Sequence, residues 1–139
     1  MATTRATPGE IRAREAALRE GRWCVFVLPE GIDSKASFFD AVRLTLPLDP
    51  PFGPSDRHKW DALDDSLSAG LLDVEAAAIA ILWPDAYIME AADPDSFRIA
   101  MTVFDDLPEV LQHGEWTNDG IPKKVLILLG EKTSADDNV

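Results

Sequence analysis

Cysteine and tyrosine each occur once and histidine only twice in this chain of 139 residues. A lone cysteine, Cys24, closes no disulfide within the chain, which excludes the stapled scaffolds of small secreted domains and fits a reducing cytoplasm. It lies inside the apolar run WCVFVL and is read as a structural thiol, because a reactive thiolate needs an electropositive, partly exposed setting. His58 and His113 have polar neighbours, no metal-ligand spacing and no carboxylate placed to orient them, so neither is assigned to catalysis. Glycine-rich phosphate loops are missing: Gly53, Gly70, Gly114, Gly120 and Gly130 are spaced as turns and helix stops, which excludes nucleotide-binding enzymes of the common types. The acidic pairs Asp64/Asp65, Asp105/Asp106 and Asp136/Asp137 lack calcium-loop spacing and are taken as solvated acids, so neither a metal nor a cofactor is expected. No apolar run approaches the roughly 20 residues that cross a bilayer. The early arginines of MATTRATPGEIRARE are followed by no apolar segment such as a secretory leader has. The expectation is a single cytoplasmic domain that does not engage the membrane and is not an enzyme.

Positive charge is also scarce. Thirteen Lys and Arg stand against 25 Asp and Glu, for a net charge of -12. The imbalance is uneven: residues 1–22 hold five arginines and three glutamates, a balance of +2, which leaves -14 on the other 117 residues. A field of that sign repels RNA and anionic membranes and attracts basic proteins, so direct nucleic-acid binding is not expected.

The apolar residues that are present alternate between strand-like runs and helical stripes. A helix is predicted between Thr7, a cap followed by Pro8, and Gly21, a stop; its apolar positions Ile11, Ala16, Ala17 and Leu18 are sparse, so it is expected to pack weakly or to stand as an appendage. Residues 23–29 (WCVFVLP) read as a strand covered on both faces, and Ser34 caps a helix carrying Phe38, Phe39, Val42 and Leu46. LPLDPPFGP is an irregular loop. A second helix is expected from Ser55 or Asp56 to Ala69, stopped by Gly70, and a second strand over 76–83. Asp93 caps a third helix with the stripe Phe97, Ile99, Ala100, Val103, Phe104 and Leu107, which Pro108 is expected to break or kink. VLILLG at 125–130 closes the fold. Strands separated by helices pair in parallel, giving a two-layer α/β domain with a three-stranded sheet and three or four helices. The chain divides into an N-terminal helical extension (1–22), the domain (23–130) and an acidic tail (131–139) expected to be disordered.

The second helix carries the candidate site. At 100° per residue, Trp60, Leu63, Leu67 and Leu71 fall within an arc of about 80° and form its core face. Asp61, Asp65 and Ser68 lie on another face, with Asp64 at the seam beside Trp60. Like charges four residues apart cost a helix roughly 0.2 to 0.5 kcal/mol per pair. The helix N-terminus offsets this for Asp61 more than for Asp65. A fixed carboxylate accepts the same charge-assisted hydrogen bonds as a phosphate oxygen, so a site built to hold RNA phosphates is also built to hold such a helix.

FG followed by WDALDDSL resembles the barstar family of intracellular ribonuclease inhibitors, whose members carry an aromatic-Gly turn leading into a D-A-L-x-D-x-L helix. The resemblance spans about residues 23–130 through element order, loop placement and the closing strand. It implies a barstar-like fold, a non-catalytic inhibitor, and as partner a basic extracellular-type or toxin ribonuclease. By that resemblance Asp61 and Asp65 face the nuclease and Asp65 dominates; Phe52 and Gly53 form the turn, Ser68 matches a small hydroxyl residue, and Glu115 and Asp119 match a peripheral acidic pair. Trp60 and Asp64 flank the aspartates and complete the candidate partner-binding set. This chain departs from the pattern in four extra residues between Gly53 and Trp60, and in Lys59, Asp64 and Pro51, which replace an asparagine, an aromatic and a tyrosine. Without that gap Asp61 takes the dominant position. Two other readings stand beside this one: an adaptor or regulator of the same fold for a basic partner that is not a nuclease, and a metal-dependent hydrolase using the acidic residues.

Overall fold

The chain builds its sheet from Thr3–Ala6 (β1), Cys24–Val27 (β2), Ala78–Trp83 (β3) and Lys124–Gly130 (β4), in the spatial order β1-β4-β3-β2 with every neighbouring pair parallel. The structure, a computed structural model, describes residues 3–51, 59–113 and 122–132. The three expected strands are β2, β3 and β4, and β1 is a fourth. Its sequence, TTRA, holds a single apolar residue and buries only that one, Ala6, so no apolar pattern marks it. What it supplies is backbone, completing the ladder along β4.

Successive residues of β3 feed two cores. Ile79, Ile81 and Trp83 join Ile127 and Leu129 on one face, beneath the helices Lys35–Thr45 (α2), Trp60–Leu72 (α3), Ala86–Ala92 (α4) and Pro94–Leu111 (α5). Ala80, Leu82 and Leu128 face the other way, against the helix Pro8–Glu20 (α1). The caps foreseen for α1 are in place: Thr7 Oγ1 accepts from the Glu10 amide at 3.2 Å, Pro8 starts the helix and Gly21 ends it. The helix is nevertheless no loose appendage. Ile11 and Leu18, two turns apart, are buried against the second face, and the small Ala80 beneath lets so narrow a stripe suffice. β2, expected to be covered on both faces, is an edge strand and only half-buried.

Several local expectations are corrected, among them Ile99, counted in the stripe of the helix after Asp93 but exposed there, and the start of α3, which follows an extended Lys59 rather than running through it. Gly70 does not stop α3 but lies within it, because that helix continues to Leu72 with Leu71 buried. Pro108 does not end α5, which runs on to Leu111; Leu107 and Leu111 extend the stripe of Phe97, Ala100, Val103 and Phe104, and their burial outweighs the hydrogen bond the proline removes. The short helix α4 has no counterpart among the expected elements.

Two glycines are required by close backbone approach. A Cβ on Gly70 would stand 2.2 Å from the Pro47 carbonyl oxygen, and one on Gly130 would stand 1.5 Å from that of Pro84. The first contact holds the proline-rich loop against α3, and the Asp49 amide donating to the Ser66 carbonyl at 3.0 Å fastens it there.

Candidate functional site

α3 is seated from below by three leucines. Leu63, Leu67 and Leu71 are fully buried, and Trp60, half-buried at the helix start, meets Phe39 edge-on at 4.9 Å and Phe38 at 5.9 Å. A helix anchored along its length holds its outer side chains in a fixed frame, so binding has little ordering entropy left to overcome.

On that outer side stand Asp61, in the first turn, and Asp65, one turn later, both exposed. Among the described residues no cation lies within ion-pairing distance of either. The N-cap residue, Lys59, has no side-chain oxygen and makes no capping bond, so the helix N-terminus supports Asp61 mainly through its dipole. Asp61, Asp65 and Trp60 line one open depression of about 660 Å³, together with Ala62, Lys35 and Lys59.

Asp64 occupies a different environment. It is half-buried on the flank where α3 meets α5, and its pKa is raised, first by desolvation and then by the negative charges of Asp106, Asp65 and Asp61. It therefore lies outside the surface shared by Asp61 and Asp65, and it does not line the depression. Ser68 is half-buried and likewise not part of the lining. Phe52, Gly53, Glu115 and Asp119 fall outside the described residues.

Lys35 is the participant that sequence reasoning missed. It opens α2, 25 residues before Trp60, and nothing in the periodicity of either helix joins them. Its Nζ sits 5.6 Å from the Trp60 ring centroid and 5.9 Å from that of Phe39. Its backbone is fixed as well: the Lys35 amide donates to Asp93 Oδ2 at 3.1 Å, while Asp93 Oδ1 accepts from the Ser96 amide at 3.4 Å. One carboxylate thus ties together the N-termini of α2 and α5. The only signal available beforehand was Ser34, whose cap correctly placed the start of α2.

Other chemistry finds little support. Cys24 sits half-buried on the edge strand, and burial raises its pKa, with Arg19 opposing; a thiol so disposed is a poor nucleophile. Among the described residues no cluster of three or more His, Cys, Asp or Glu is arranged to hold a metal ion, and no helix is long and apolar enough to cross a membrane.

No curated protein and no solved structure matches the chain. A protein-family model does: residues 24–127 match the family described as Barstar (barnase inhibitor), from the start of β2 into the middle of β4. The match covers well over half of the sequence and includes the whole of α3 with its two outward aspartates. The chain belongs to the barstar family.

Proposed function

We propose that this protein inhibits a ribonuclease by inserting the outer face of α3 into the enzyme's cationic active site, with Asp65 and Asp61 accepting charge-assisted hydrogen bonds meant for RNA phosphates. The family's description is inhibition of barnase, and this reading applies that activity to a particular surface of this chain. The observation that carries it is the state of those carboxylates: exposed, one turn apart on a well-anchored helix, beside a half-buried tryptophan, and unpaired among the described residues. In the free chain these charges repel one another, and a cationic cleft relieves that repulsion on binding.

The electrostatics also bear on rate. A chain carrying -12 overall draws a basic enzyme toward it, raising the association rate in a way that falls with added salt. The same field disfavours RNA as a ligand. Phe52, Gly53, Ser68, Glu115 and Asp119 belong to the proposed contact surface by family resemblance, Asp64 as a flank. The proposed setting is the cytoplasm, with a secreted or toxin-type ribonuclease as the target.

The test is an RNA-cleavage assay with barnase as the enzyme and the full chain as inhibitor. Asp65→Ala and Asp61→Ala are expected to raise the inhibition constant strongly, whereas Asp137→Ala in the tail leaves it unchanged. Inhibition indifferent to both helix substitutions would remove α3 as the site. RNA cleavage by the chain itself, dependent on added Mg²⁺, would instead favour a hydrolase.

A further inference from the structure

The depression beside the two aspartates is not uniformly acidic. Lys35 and Lys59 share its lining with Asp61 and Asp65. Lys35 is the better defined of the two: its ammonium is held against two aromatic rings and makes no ion pair with any described carboxylate, in a protein with nearly twice as many acids as bases. Its backbone is pinned by Asp93, and its ammonium rests 5.6 and 5.9 Å from the Trp60 and Phe39 ring centroids.

A purely cationic cleft closing over α3 would press its own charge against this ammonium. That repulsion would oppose whatever Asp61 and Asp65 gain, because like charges brought together in a desolvated interface are strongly unfavourable. We infer that the partner presents a carboxylate to Lys35 beside the cations it presents to Asp61 and Asp65, so that Lys35 is a specificity-determining residue of the interface. The required partner surface is mixed: acid flanked by base. Free phosphate does not meet this requirement, since it brings negative charge toward both aspartates without a cation to accompany it. A protein that carries both signs on one surface does.

This inference rests on the inhibitor reading, and the sign of a charge change separates the two. Lys35→Met keeps the aliphatic stem over the rings and removes the charge; Lys35→Glu reverses it. With barnase as the probe and the full chain as inhibitor, Lys35→Met is expected to raise the inhibition constant about tenfold and Lys35→Glu by about a further tenfold, each step being near the scale of one charge pair at an interface. In double-mutant cycles, one Asp or Glu of barnase is expected to lose its contribution in the Lys35→Met background. Unchanged thermal stability of Lys35→Met shows that the effect is on the interface. Tighter inhibition by Lys35→Glu, with sensitivity to Asp65→Ala retained, would overturn the inference and leave the inhibitor reading standing. Indifference to Asp61 and Asp65 would remove that reading itself. Inorganic phosphate alone, protecting the wild-type chain but not Lys35→Met from thermal unfolding, would also overturn it by assigning the ammonium to a free anion.

Discussion

Arg5 of β1 and Arg12, Glu15 and Arg19 of α1 have ion-pair partners, while the two aspartates on the outer side of α3 have none among the described residues. Arg5 forms a two-pronged bridge to Glu90 at 2.7 and 2.9 Å and lies over the Phe97 ring; Arg19 meets Glu15 at 2.9 Å one turn away, and Thr3 donates to Asp105 at 2.7 Å. The Arg5 and Thr3 contacts join β1 to α4 and α5, and the Arg5–Glu90 pair shifts Arg5 upward and Glu90 downward in pKa, each chiefly through their mutual hydrogen bond. Across the molecule, Asp61 and Asp65 repel each other and have no counter-ion among the described residues. A surface that folds against itself satisfies its charges. On the proposed reading, a cationic cleft closing over α3 relieves the repulsion between these two aspartates.

The comparison can be broken most sharply on the acidic side. Asp65→Ala is expected to weaken ribonuclease binding by about 2 to 5 kcal/mol, the range for truncating one partner of a desolvated, hydrogen-bonded charge pair. Calorimetric titration with barnase measures it, and a change below a factor of three would contradict the assignment. On the opposite side, Ile11→Ala tests whether α1 is integral. Removing its fully buried side chain is expected to cost about 2 to 4 kcal/mol of folding stability in urea denaturation. A cost near zero would return α1 to the status of an appendage. Gly70→Ala, which drives a methyl group into the Pro47 carbonyl, is expected to cost about 1 to 3 kcal/mol and to shift the loop against α3. The amide signals of Leu46, Leu48 and Asp49 report the shift.

The smallest effect comes from Asp64. A carboxyl whose folded-state pKa is raised favours the folded state in acid and loses that advantage as pH rises through the folded value. Asp64→Asn is therefore expected to stabilise the chain modestly at neutral pH, by removing a partly desolvated charge and its repulsion with Asp106, Asp65 and Asp61. The gain should vanish below the ordinary aspartate pKa, where wild-type Asp64 is protonated in both states. Equal stabilisation at pH 3 and pH 7 would assign the effect to something other than charge.

Much of this was legible in the sequence where one physical pattern acted alone. The central strand β3 is a run of apolar residues because both of its faces are buried, and α3 shows its leucine stripe because only one face is. Legibility failed where tertiary contacts overrode a local rule. Pro108 and Gly70 are breakers by propensity, yet each sits inside a helix that the core holds together on either side. β1 was invisible because an edge strand of four residues needs backbone partners rather than an apolar pattern. At the site, Asp61 and Asp65 are exposed neighbours as their spacing predicts, whereas Asp64 lies where α3 meets α5, a relation set by helix packing and not by helical spacing. Lys35 could not be found in advance, since its proximity to Trp60 depends on how α2 and α3 are laid side by side.

The central claim is tested most directly by thermal unfolding of the double variant Asp61→Asn/Asp65→Asn, measured free and in complex with barnase. Removing two mutually repelling charges is expected to raise the midpoint of the free chain and to lower that of the complex relative to wild type. Shifts of the same sign in both states would contradict it.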